Sequence, residues 1–400
     1  MKKIINTALS ISLLVSSALL ADTITAKKIS GSLEKISPTS NVWKGVKGAT
    51  VILYPQTTIS FNDKKALELN KNAKAKKAEV KAVYNGKRIA FLIKWPDGTK
   101  TIQKGYESTS YADGFAVQFT NITDPAKLPY IGMGNEGREV VIHLQKAVEK
   151  FYEPNGNKNV AMQVNVHNTY NFGKDVKKFE ENVDKLANRD YDKVFVSEGF
   201  RSMTEIKGEK LNSFADMKYT GKGWSGVVSR EMKDDYLNLN GKKAVAVAFA
   251  VWDGEKLNRD GLKLLSSWQP VILEKGGEEF AKAVLEKVKG DIKNGEKIAK
   301  DNCSSCHNYK KEQNAVPYMA PNLSNIGGYS TAAYLRESIL DPSAVVVPGY
   351  NRNAHKNFEW YTVDDKGNRI STMPPFSHLD KKAQDDLIAF LQTLKAEVEK

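Results

Sequence analysis

Cys303-Ser304-Ser305-Cys306-His307 is the densest concentration of chemistry in the chain. The C-x-x-C-H spacing is a signature of c-type haem attachment. Two thiols form thioethers with the porphyrin vinyl groups, and the adjacent imidazole binds iron from one face. A redox dithiol or half of a zinc site would use the same pair of sulfurs. Cys303 and Cys306 are the only cysteines, so no second pair completes a zinc site. No thioredoxin-like βαβ pattern surrounds them. The expectation is one covalent haem c with His307 on its iron.

Electron transfer favours a closed sixth position, because fixed ligation limits reorganisation, and thioether sulfur raises the potential by favouring Fe(II). Met319, Met373, His355 and His378 are the candidates in the same stretch. Upstream, His143 and His167 read as structural residues. No paired carboxylates, Ser/His/Asp set or Gly-rich phosphate loop stands out there, which argues against resident catalysis.

Two kinds of element must position these groups. From Asp291 the pattern is helical. Ile292, Gly295, Ile298 and Ala299 share one face ahead of the cysteines, and Ala383, Leu387, Leu391 and Leu394 form an amphipathic stripe near the end. Residues 291–400 therefore read as a small all-α domain. Residues 22–275 read as β: Arg88–Trp95 closed by Pro96-Asp97-Gly98, then Phe115–Phe119, Val140–Leu144 and Val245–Trp252. Short strands between Gly turns predict a mainly-β sandwich, and the unbroken apolar run at 245–252 suits a sheet covered on both faces. Residues 63–78 and 175–188 read as helical inserts, and 276–290 as a helical linker. The chain is thus expected to be multidomain.

Lys2 and Lys3 followed by the apolar stretch Ala8–Ala21 read as a Sec-type signal over residues 1–21, cleaved after Ala21 or kept as an anchor. Export agrees with haem c attachment outside the cytoplasm and points to the periplasm. No later apolar run is long enough to span a membrane. The net charge is +13. Residues 291–400 balance their charges, so the excess lies upstream and peaks over Asn62–Ala90. That segment reads either as a docking face for an acidic partner or as a solvated lysine-rich surface. Nucleic acid is an unsuitable partner for an exported chain.

Residues 291–400 resemble class I cytochrome c. The resemblance rests on Gly295, the C-x-x-C-H, Ala320-Pro321-Asn322-Leu323, Tyr334–Ile339, Thr372-Met373-Pro374-Pro375-Phe376 and the closing helix. It implies that Met373 is the distal iron ligand and that the Pro321 carbonyl orients His307. It also implies that Gly295 lets the first helix approach Phe390 closely.

The upstream region carries Asp113–Phe119, Pro129-Tyr130-Ile131-Gly132-Met133-Gly134, Trp224–Arg230, Phe249–Gly254 and Asn258–Trp268, in that order. These phrases resemble the haem b-binding γ subunits of the ethylbenzene dehydrogenase family, which includes those of dimethylsulfide dehydrogenase, selenate reductase and chlorate reductase. The resemblance implies one non-covalent haem b held in the sandwich between Met133 and Lys263. A lysine amine binds iron only when unprotonated, and its ordinary pKa is about 10.4. Burial beside a cationic iron disfavours the ammonium form. Gly132 and Gly134 are expected to let a porphyrin approach the backbone.

By the same resemblance the chain is an electron-transfer subunit and not an enzyme. Its implied partners are a molybdopterin catalytic subunit and an iron–sulfur subunit. Haem c would exchange electrons with a soluble cytochrome or a terminal reductase or oxidase. The alternative is a sandwich that binds a small ligand or saccharide and carries a cytochrome c tail. A self-contained dehydrogenase would need an organic cofactor site, and no dinucleotide fingerprint is present.

Overall fold

The computed structural model describes residues 23–59, 61–105, 111–152, 174–208, 211–310, 312–313 and 315–399. The expected signal segment and His167 lie outside them. Among the described residues no helix is long and apolar enough to cross a membrane.

The upstream region is built on one hydrogen-bonded path of antiparallel strands. In spatial order they are Thr204–Ile206, Asp192–Ser197, Val140–Lys146, Gly114–Phe119, Ala244–Trp252, Leu264–Leu265, Ala49–Pro55, Lys76–Tyr84, Arg88–Pro96, Gly223–Glu231 and Ser213–Tyr219. Two short strands join in parallel: Ile24–Thr25 beside Gln269–Ile272, and Lys27–Lys28 beside Lys76–Tyr84. The path folds over on itself. Phe91 of Arg88–Pro96 meets Phe119 and Phe249 edge-on, at 5.7 and 6.0 Å between ring centroids, and Trp95 packs on Phe115 at 5.6 Å. That is a sandwich core in which rings from facing layers interlock.

Alternation along the strands decides what each face does. In Ala244–Trp252, Val245, Val247, Phe249 and Val251 enter the sandwich core, while Ala246, Ala248 and Trp252 join a second core on the other side. Both faces of this strand are covered, as its unbroken apolar run predicts. The second core also holds Leu335, Leu387, Phe390 and Leu391 of the helical region, so the two regions share one apolar contact layer. His143 sits in the sandwich core, its ring edge-on to Phe119 and its Nε2 3.2 Å from Arg230. Burial pushes it well below the usual histidine range, which fits a structural role.

Asp113 clasps the layers. Its carboxylate accepts from the Thr101 and Gly254 amides, both at 2.7 Å, and from Trp224 Nε1 at 2.9 Å.

The helical inserts are shorter than their polar patterns. Residues 63–78 divide into the helix Lys64–Asn70, capped by Asp63, and the start of the strand Lys76–Tyr84. The segment after Gly277 is helical over Glu278–Val284. Beyond it stand the helices Ile292–Asn302, Ile326–Tyr329, Ala332–Leu340 and Lys381–Leu391. Gly295 is where the first and last of these cross. A Cβ there would stand 2.0 Å from the Asp386 carbonyl and 2.8 Å from Phe390 Cβ, so only glycine permits this approach. The helical region also carries a two-stranded ribbon, Tyr361–Val363 with Arg369–Ser371, which the sequence pattern does not anticipate.

Candidate haem sites

Cys303 ends the helix Ile292–Asn302 as its C-cap, and the chain turns tightly through the motif: the Cys306 amide and the His307 amide both donate to the Cys303 carbonyl. This turn brings the two sulfurs and the imidazole to the end of one helix. Cys303 lies half-buried, and burial, reinforced by Cys306, pushes its thiol up to about 11. A redox dithiol needs a depressed thiol pKa, so this environment speaks against that reading.

The imidazole of His307 is fixed from behind. Its Nδ1 lies 2.7 Å from the Pro321 carbonyl oxygen. A carbonyl can only accept, so Nδ1 carries the proton and Nε2 presents a lone pair. Burial depresses the imidazole pKa, the Pro321 contact opposing it, and the ring stays neutral. A neutral, oriented imidazole with a backbone acceptor behind it is the arrangement an iron ligand requires. The donor set thus fits a covalently held haem.

The four candidates for the opposite face are separated by their settings. Met373 is half-buried and follows directly on the ribbon strand Arg369–Ser371, its amide donating to Ser371 Oγ at 3.1 Å. Thr372 beside it bonds the carbonyls of Trp360 and Glu359, so this segment is held by the ribbon and the loop before it. His378 is exposed against Phe376. His355 stacks on Phe358, and its Nδ1 accepts from the Asn357 amide at 3.3 Å. Met319 closes a local turn onto Val316.

A second site lies on the outer face of the sandwich sheet. Its floor is built from the strands Val140–Lys146, Gly114–Phe119 and Ala244–Trp252. Alternation turns Ile142, Leu144, Ala116, Ala248 and Ala250 outward. The small alanines leave an open pocket of about 280 Å³. Met133 and Lys263, far apart in sequence, both line it.

Lys263 follows a tight turn in which the Leu262 amide donates to the Arg259 carbonyl at 2.8 Å, with Asp260 in the left-handed region at φ 49°. Aspartate tolerates that conformation, so Asp260-Gly261 keeps the turn. The amine is 5.4 Å from the Trp252 ring centroid and 3.4 Å from the Asp260 carbonyl oxygen. Among the described residues no carboxylate pairs with it. Burial, only partly offset by Asp260, pulls its ammonium down to about 8. A buried lysine poised to lose its proton fits iron ligation better than it fits a surface role.

Met133 is held at φ 82°, a conformation rare for a side-chain-bearing residue. The glycines around it do not act as expected. A Cβ at Gly132 would stand 2.5 Å from Tyr130 Cε1 and 3.1 Å from the Tyr350 hydroxyl. One at Gly134 would stand 2.8 Å from the Arg138 carbonyl and 3.0 Å from the Ser197 carbonyl. Their missing side chains make room for protein, not for porphyrin, and the tight packing pins the Met133 backbone instead. Two further donors, Lys146 and Met203, also line the pocket. Lys146 sits at the end of an alternating strand, but nothing in the local sequence points to Met203.

The two sites are joined by a dense interface. Glu337 accepts from Arg138 Nη1 and Nη2, both at 2.7 Å, and from Lys127 at 2.6 Å. Asn325 donates to the Pro55 carbonyl at 3.0 Å, and Thr57 to the Asn322 carbonyl at 3.1 Å. Tyr130, Tyr334 and Tyr350 stack across it.

Comparison with known proteins agrees with this division. The family described as ethylbenzene dehydrogenase matches residues 40–264, and that described as cytochrome c matches residues 292–395. Chlorate reductase subunit gamma of Ideonella dechloratans is 27% identical over 239 residues, 58% of this chain and 78% of that protein. Among solved structures, a family 9 carbohydrate-binding module of Caldicellulosiruptor kristjanssonii with cellotriose aligns at 9% identity and a TM-score of 0.29, covering 63% of this chain and 93% of that one. The same module with glucose gives 0.27 at 9% identity, covering 63% and 95%. The chain belongs to the ethylbenzene dehydrogenase family through residues 40–264 and carries a cytochrome c domain after it, which makes it a γ-subunit-like, haem-containing electron-transfer protein.

Proposed function

We propose that this protein is a two-haem relay of the periplasm. Cys303 and Cys306 would hold haem c covalently, with His307, oriented by Pro321, and Met373 as its iron ligands. Met133 and Lys263 would hold haem b in the pocket on the sandwich. When bound, each haem supplies a one-electron couple. The residues of the chain would set ligand geometry, exclude water and lower the cost of deprotonating the lysine amine.

The supporting observation is the convergence of Met133 and Lys263 on one largely apolar pocket, with the lysine desolvated and, among the described residues, without a carboxylate in ion-pair contact.

The partners that fit this reading are an iron–sulfur subunit and a molybdopterin catalytic subunit, with haem b facing the iron–sulfur chain. Haem c would exchange electrons with a soluble cytochrome or a terminal reductase or oxidase. The test is ligand replacement: Met133→Ala and Lys263→Ala proteins should lose the b-type absorbance and keep the c-type band. Unchanged b-type spectra in both would remove the assignment.

A further inference from the structure

Two haems in one chain raise the question of how an electron passes between them. Electronic coupling falls off more slowly along covalent and hydrogen bonds than across van der Waals gaps. A continuous bonded route between the ligands of the two irons is therefore worth tracing.

One exists. The Lys263 carbonyl accepts from the Gln56 amide at 3.0 Å. Gln56 is bonded to Thr57, and the Thr57 hydroxyl donates to the Asn322 carbonyl at 3.1 Å. Asn322 follows Pro321, and the Pro321 carbonyl accepts from His307 Nδ1 at 2.7 Å. All of these separations are ordinary hydrogen-bond distances. Every other step on the route is covalent, and Lys263 and Gln56 are buried.

The weakest-looking step, a hydroxyl that could rotate, is held. Thr57 Oγ1 also lies 3.2 Å from the Tyr329 hydroxyl. Thr57 has one proton, which goes to Asn322, so the phenol donates to Thr57. Tyr329 is fully buried, and the surrounding low dielectric keeps it a neutral donor. The adjacent Thr58 is no step of the route, but its hydroxyl lies 2.9 Å from that of Tyr130 and accepts from the Gln56 side chain at 3.3 Å.

We infer that Thr57, positioned by Tyr329, bridges the two haem sites and carries the electronic coupling from Lys263 to His307. The inference rests on the proposed haem b ligation by Lys263. Thr57 touches neither haem in this account and acts as a positioning residue.

The experiment uses the full chain loaded with both haems. Haem c is photoreduced by a ruthenium complex attached to the surface, and the reoxidation that accompanies haem b reduction is followed optically. Thr57→Val, nearly isosteric but without the hydroxyl, should slow this step several-fold. The spectra and midpoint potentials of both haems, and the urea unfolding midpoint, should stay as in the parent protein. Thr57→Ser should restore the rate. A parent-like rate in Thr57→Val with both spectra intact overturns the bridge while leaving haem b ligation standing. A parent protein with no b-type band overturns both. Slowing in Thr57→Val that Thr57→Ser fails to restore also overturns the bridge, because it marks general disruption.

Discussion

Arg138 and Glu337 form a two-pronged ion pair across the seam between the sandwich and the cytochrome c region, with both nitrogen–oxygen separations 2.7 Å. Arg138 leaves the loop that carries Met133. Glu337 lies on Ala332–Leu340, the helix whose Tyr334 stacks on Tyr130. Both side chains are largely shielded, 13% and 9% exposed, so the pair is screened less than a surface bridge. It couples the position of the Met133 loop to the cytochrome fold.

Breaking this pair should loosen the seam. Arg138→Met leaves Glu337 with the more exposed Lys127, and should cost about 1.5–3 kcal/mol, the scale for losing hydrogen bonds to a charged group. Urea unfolding followed separately by tryptophan fluorescence and haem absorbance should change from coincident transitions to two. Coincident curves with a parent-like midpoint would show that the pair does not hold the regions together.

Gly295→Ala should damage the cytochrome fold selectively. The added methyl would meet the Asp386 carbonyl and Phe390, and overpacking of this kind costs about 1–3 kcal/mol or more. Thermal loss of the haem c Soret signal should move to lower temperature. The fluorescence transition of the sandwich should move much less.

Asp192 should contribute a loss of stability as the pH rises from about 4 to about 6, against the opposite contribution of the buried, neutral His143 and His307. Burial pushes the Asp192 carboxyl up to about 6, with the Ala215 amide opposing and Asp190 adding to the rise. Its unfolded value is about 3.9, so the folded protein holds this proton more tightly. The contribution is fully present below the unfolded value and is lost as the pH climbs through the folded one. Asp113, also pushed up to about 6 by burial, acts in the same sense. Asp192→Asn can keep the 2.8 Å bond from the Ala215 amide and should make stability rise more with pH, or fall less, than in the parent, as read by urea midpoints across that range. A parent-like slope would exclude Asp192 as a source.

The legible part of this protein is its local chemistry. The C-x-x-C-H motif, the Pro321 carbonyl behind His307 and the Gly295 crossing all belong to short phrases whose geometry is set within a few residues or by one close contact. The alternating strands also announce themselves, and with them the two covered faces of Ala244–Trp252. Pairings between distant segments do not. Nothing near Thr57 marks it as a contact of Asn322, and nothing near Glu337 calls for Arg138 and Lys127. The carboxylates of Asp97, Asp113 and Asp253 gather within 4.8 Å only because three separate strand ends meet. The glycines beside Met133 illustrate the limit. Their presence is visible in the sequence, but what fills the space beside them is decided by Tyr130, Tyr350 and Ser197, which only the folded chain brings there.

The central claim is that one chain holds two chemically distinct haems. Pyridine haemochrome spectra of the natively loaded protein, taken before and after acid–acetone extraction, test it most directly. The account predicts b-type and c-type bands in equal amount before extraction, and the c-type band alone in the protein afterwards. A c-type band alone before extraction would contradict it.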